Sequence, residues 1–158
     1  MVPDREKLAE QATGALSLDS RLLEKLDAGL LCAVDRAAQA MNATALDAEI
    51  GERFEAGLRA MLEAAAAQPD LTRLCLVEAP GLGARALAQK DAGLQRFVDL
   101  LDAELAQQHG QAPPLVSEMV VGGIYEVVQR AARADKIGTL PDLAGQLSQL
   151  WLPALRGR

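Results

Sequence analysis

His109 is the chain's single histidine, and Gly110 follows it directly. That placement suits the last turn of a helix, where an imidazole meets unpaired carbonyls and a glycine closes the turn, better than it suits acid–base work. Ser17, Ser20, Ser117 and Ser148 lack a Gly-x-Ser-x-Gly elbow, so only His109 is open to a Ser/His/Asp triad. Glu49 and Glu52 lack the Glu-x-x-His pattern of di-metal bundles, and Cys32 and Cys75 lack CxxC or Cys/His ligand spacing. A lone Gly81-x-Gly83 after a helix is not a dinucleotide loop. The chain therefore reads as a non-enzyme without metal, cofactor or disulfide framework, its two thiols reduced and buried as small hydrophobes.

What chemistry remains is binding. Met61, Cys75, Phe97, Met119 and Tyr125 offer adaptable apolar and aromatic walls for a small hydrophobic or amphipathic ligand, although helical spacing alone also fits ordinary core. Tyr125 needs a partner for its hydroxyl if buried, and it is one turn from Val121 and Gln129, which also places it near a dimer seam. Glu78 ends the run Leu74-Cys75-Leu76-Val77. Its carboxylate either faces an apolar interior and orients a ligand amine or hydroxyl, or sits solvated at a helix end before Pro80.

The elements that must position these residues are helices. Half of the residues are hydrophobic, mainly Ala and Leu, aromatics are 3%, and period-two clusters of strand-forming residues are missing. Asp4 caps a short helix to about Ala12, which Thr13-Gly14 breaks, and a second short helix fits Asp19 to Leu26. Leu30, Leu31, Val34, Ala38 and Met41 keep helical spacing. Leu46, Ile50, Phe54, Leu58, Met61, Leu62 and Ala65 mark a longer helix ending before Pro69. Asp70 caps the next, Leu71 to about Ala79, and Pro80-Gly81-Leu82-Gly83 turns the chain. Leu87, Leu94, Phe97, Leu101 and Leu105 define one face of a helix closing at His109-Gly110. After Pro113-Pro114 another helix runs to about Ala134, and Thr139 caps the last one.

Gly122 and Gly123 sit together inside the helix after the double proline. Each costs roughly 1 kcal/mol against alanine in a helix interior, so the pair points to close approach by another helix. Val120, Gly123 and Val127 on this helix, with Leu143, Leu147, Leu150 and Trp151 on the last, are the expected seam of an intersubunit four-helix bundle. A homodimer is the expected assembly.

A chain of 158 residues fits one compact unit. Its net charge of -6 disfavours broad binding to nucleic acid or to an anionic membrane. Apolar runs are broken by charge before the ~20 residues of a membrane span, and no signal peptide is evident, so a soluble cytoplasmic protein is expected.

The segments Pro69-Asp70-Leu71-Thr72-Arg73-Leu74-Cys75-Leu76-Val77-Glu78 and Pro113-Pro114-Leu115-Val116-Ser117-Glu118-Met119-Val120-Val121-Gly122-Gly123-Ile124-Tyr125-Glu126-Val127-Val128 resemble the C-terminal half of TetR-family transcriptional regulators. So does Leu140-Pro141-Asp142-Leu143 with its terminal Leu150-Trp151-Leu152-Pro153. The likeness implies an all-α ligand-binding and dimerisation domain over 27–158 and a ligand-responsive regulator, its alternative being a DNA-independent binding or heterodimerising module. Only 26 residues precede Asp27, against about 45 for a three-helix DNA-binding unit, which implies a short or degenerate helix-turn-helix over 1–26. Arg21 and Lys25 are its candidate DNA contacts. Residues 1–36 hold five basic and seven acidic side chains, however, so operator phosphates would meet a net -2.

Overall fold

The computed structural model describes residues 5–45 and 47–157, and all regular structure among them is helical. Helix α1 (Arg5–Ala43) leads to α2 (Ile50–Ala67) and to a short α3 (Pro69–Arg73), which passes into a π turn (Leu74–Glu78) and a 3₁₀ turn (Ala79–Leu82). Then come α4 (Ala84–His109), α5 (Val116–Arg133), a 3₁₀ segment (Ile137–Leu143) and α6 (Ala144–Leu155). The proposed cap Asp4 and the stripe residue Leu46 lie outside the described residues.

Spacing of four explains the central elements. Ile50, Phe54, Leu58 and Leu62 make the buried stripe of α2, and Val120, Ile124, Val128 and Ala132 make that of α5. Helix α2 packs against α1 and against α6 with its preceding 3₁₀ segment, while α4 lies on α1 and α5. A main core joins α2, α4, α5 and α6, and a smaller cluster of Leu23, Leu26, Leu30, Cys75, Ala79 and Ala86 ties α1 to the segment before α4 and to the first turn of α4. No described helix is long and apolar enough to cross a membrane.

Several expectations are corrected. Thr13-Gly14 does not break the chain. Residues 5–43 form one helix, so the boundary drawn after Leu26 falls inside it and no turn separates two short helices there. Gly14 has open space where a Cβ would be, and the roughly 1 kcal/mol it costs is too little to end a helix continued on both sides. Pro69 at the first helical position, rather than Asp70 as a cap, starts α3. The Thr139 hydroxyl donates to the Lys136 carbonyl inside a 3₁₀ segment, and α6 begins later, at Ala144. Leu87 is exposed, the α4 face turning instead on Ala86, Gly93, Val98, Leu101 and Leu105. The closure at His109-Gly110 is as expected: Gly110 takes φ 82° and donates its N–H to Ala106. His109 Nε2 also donates to the Leu155 carbonyl at 2.9 Å, joining the ends of α4 and α6.

Candidate functional site

Helix α1 is held unusually close to its neighbours by glycines. A Cβ on Gly57 of α2 would lie 2.7 Å from Met41 Cγ and 3.2 Å from the Ala37 carbonyl oxygen, and one on Gly93 of α4 would lie 2.6 Å from Leu30. Gly29 of α1 meets Leu71 and Cys75 in the same way, at 3.1 Å. Such contacts need backbones brought near each other, which only absent side chains permit.

Between these points of contact the two core clusters part around an apolar cavity of about 160 Å³. Its walls come from α1 (Cys32, Ala33, Met41), α2 (Phe54, Leu58, Met61, Ala65), the α3 region (Leu71, Thr72, Cys75, Leu76), α4 (Leu94, Phe97, Leu101) and α5 (Val121, Ile124, Tyr125). The polar atoms of this wall are few and mostly engaged. Thr72 Oγ1 donates to the Ala65 carbonyl at 2.7 Å, and the buried Cys75 thiol is directed at the Leu26 carbonyl, 3.9 Å away. Burial pushes the Cys75 pKa up to about 11, so it is a neutral thiol rather than a nucleophile. Burial also raises the Tyr125 hydroxyl pKa, against the opposing pull of Lys90 and Arg133. The Lys90 ammonium stands 5.3 Å from the Tyr125 ring centroid, a cation–π contact.

Of the residues expected to bind a ligand, Met61, Cys75, Phe97 and Tyr125 meet at this cavity. Met119 and Glu78 do not. Met119 is 63% exposed because its neighbour Val120 takes the inward position on α5, and Glu78 is exposed at the end of the π turn. Sequence reasoning missed the whole α1 wall and Gln129, although isolated glycines at Gly29, Gly57 and Gly93 within helical patterns were a usable signal of close packing.

The expected dimer residues divide. Val120 and Leu147 are buried in the chain's own core, and Leu143 packs against it, so none of the three presents a free face. Gly123 does receive a close neighbour, but one from the same chain: its Cβ would lie 2.6 Å from Trp151 Cζ2. Val127 and Leu150 remain outside, 37% and 68% exposed. Met119, Gly123 and Val127 follow one another at intervals of four along α5, and Leu150 adjoins Trp151, so the exposed apolar residues flank the α5–α6 crossing. Arg21 and Lys25 are exposed on α1, with Glu24 exposed between them.

Between α2 and α4, Arg53 and Glu104 are buried as a two-pronged pair. Arg53 Nε meets Glu104 Oε1, and Nη2 meets Oε2 at 3.1 Å. Nη1 reaches toward the carbonyls of Thr44 and Ala45, tying the end of α1 to α2 and α4. Among the described residues no cluster of His, Cys, Asp and Glu is arranged to hold a metal ion. No family model matches the chain, and no curated protein or solved structure is significantly similar to it.

Proposed function

We propose that the chain is a dimeric sensor for a small, neutral, largely apolar molecule, comparable in kind to the sensing half of the TetR-type regulators its motifs resemble. The cavity carries this reading. A partly open volume of about 160 Å³ with largely apolar walls is close in size to the cavity of about 150 Å³ known to admit a single aromatic ring. Two copies pair across α5 and α6 through Met119, Val127 and Leu150, the apolar residues the single chain leaves outside.

A second reading, as an operator-binding regulator, rests on Arg21 and Lys25. The continuous α1 favours the DNA-independent form, because a helix-turn-helix needs a turn and residues 5–43 contain none. Genomic fragments incubated with the protein at physiological salt should not be enriched for any palindromic site; enrichment of one that survives competitor DNA overturns the DNA-independent form.

The sensing role is tested by thermal unfolding with single-ring and short-chain apolar compounds. A compound at 100 times its Kd stabilises by about 2.7 kcal/mol, which for a chain of this size raises Tm by roughly 5–11 °C. Ala65→Leu, which adds three carbons to the cavity wall, should abolish the shift while the variant remains folded. If no compound shifts Tm, or the filled variant responds equally, the cavity is ordinary core.

A further inference from the structure

The hydrogen bonding at Tyr125 specifies the ligand further, given that the cavity is a binding site. Leu76 lies in the π turn, and Pro80, whose N–H an α-helical Leu76 carbonyl would take, has no N–H. Gln129 supplies the missing donor: its Nε2 lies 2.8 Å from the Leu76 oxygen. A backbone carbonyl only accepts, so this contact fixes which way round the Gln129 amide sits. The same Nε2 lies 3.0 Å from the Tyr125 hydroxyl oxygen. That oxygen therefore accepts, and the tyrosine's own hydrogen remains to be donated. Thr72 and Cys75 already spend their hydrogens on the carbonyls of Ala65 and Leu26, and Gln68 is exposed to water. Tyr125, half-buried, is thus the less exposed of the two lining residues with a strong donor left over, the other being Gln68.

We propose that the ligand carries one hydrogen-bond acceptor, a carbonyl or ether oxygen on a neutral apolar body, and that the Tyr125 hydroxyl donates to it. A site built around a hydroxyl discriminates against analogues that leave the polar group unpaired. A carboxylate is disfavoured in such a wall, since its charge would lose water without a matched cation.

The test uses acetophenone and α-methylstyrene, which share size and shape but differ in having C=O or C=CH₂. Affinities of both are measured by calorimetry for the natural protein and for Tyr125→Phe, and the ratio of the two cancels their different hydration. The preference for acetophenone should fall two- to tenfold in Tyr125→Phe, the range of one net hydrogen bond. The carbonyl stretch of ¹³C-labelled acetophenone bound to the natural protein should lie below its value in hexane, a reading that needs no variant. An unchanged ratio, or a hexane-like stretch where Tyr125→Phe does not fold, overturns the donor assignment and leaves the cavity reading standing. Failure of both probes to bind overturns the cavity reading itself.

Discussion

Replacing Glu104 by leucine should unfold the protein at markedly lower temperature. The carboxylate and its partner have side-chain exposures of 6% and 4%, so neither charge is satisfied by water. Glu104→Leu leaves the Arg53 guanidinium buried with only two long contacts, 3.5 Å to the Thr44 carbonyl and 3.4 Å to that of Ala45. Removing one member of such a pair costs about 3–5 kcal/mol. For a chain of this size about 1 kcal/mol shifts Tm by about 2–4 °C, so the expected fall is roughly 6–20 °C. The double variant Arg53→Met, Glu104→Leu exchanges the pair for apolar side chains of similar volume and should recover most of the loss, because two desolvated charges give little net stability over good packing. Urea unfolding of the natural protein, Glu104→Leu, Arg53→Met and the double variant, analysed at constant m, measures the coupling directly. A single variant that loses less than about 1 kcal/mol, or a double variant no more stable than Glu104→Leu, refutes the reasoning.

Three further outcomes are expected. If two copies pair as proposed, Leu150→Glu should convert dimer to monomer in light scattering with the helical signal unchanged, since that side chain is 68% exposed in the single chain; a dimer that persists removes α6 from the interface. Gly123→Ala should displace the chain's one tryptophan and shift its emission, the ring being rigid and 2.6 Å from the new methyl. The overpacking cost of about 1–3 kcal/mol is partly offset by the roughly 1 kcal/mol that alanine gains in a helix, and an unchanged spectrum with raised stability counts against the contact. Cys75 should resist alkylation at pH 8 while Cys32, which contrary to expectation is only partly buried, reacts. With a folded pKa of about 11 against an ordinary 9.0, the folded state holds its proton more tightly, so this thiol's contribution to stability is complete below 9 and is lost as pH rises toward 11. Cys75→Ala should flatten that part of the alkaline stability profile.

The elements legible in the sequence are those whose local and tertiary signals agree. α5 and α2 repeat their apolar residues at intervals of four, and His109-Gly110 ends α4 as capping chemistry requires. α1 was obscured because Thr13-Gly14 carries a breaker's composition, whereas the actual cost of one exposed glycine is small against continuing hydrogen bonds. The π turn had no readable signature beyond Pro80, and the donor that meets its Leu76 carbonyl comes from Gln129, a residue far along the chain. At the site, Met61, Phe97 and Tyr125 were readable as apolar and aromatic residues on core-facing helices. Met119 was not, because a helical wheel orders residues around an axis without saying which side is inside, and Val120 occupies that side. Of the glycine pair read as a point of close approach, Gly123 is one and Gly122 faces open space, and composition does not distinguish a neighbour in the same chain from one in a partner.

The glycine contacts along α1 divide the cavity's dimensions into rigid and adjustable parts. Where Gly29, Gly57 and Gly93 let neighbouring side chains press against a bare backbone, any added methyl meets an atom at 2.6–3.1 Å, and at Gly57 the Ala37 carbonyl follows at 3.2 Å. Lining residues away from these contacts, Met61 among them, are long and unbranched and change shape at low cost. If the chamber binds a ligand as proposed, exchanging wall side chains one at a time would retune which molecule fits while the glycine contacts stay in place, so ligand preference could drift without the fold being rebuilt around each new guest.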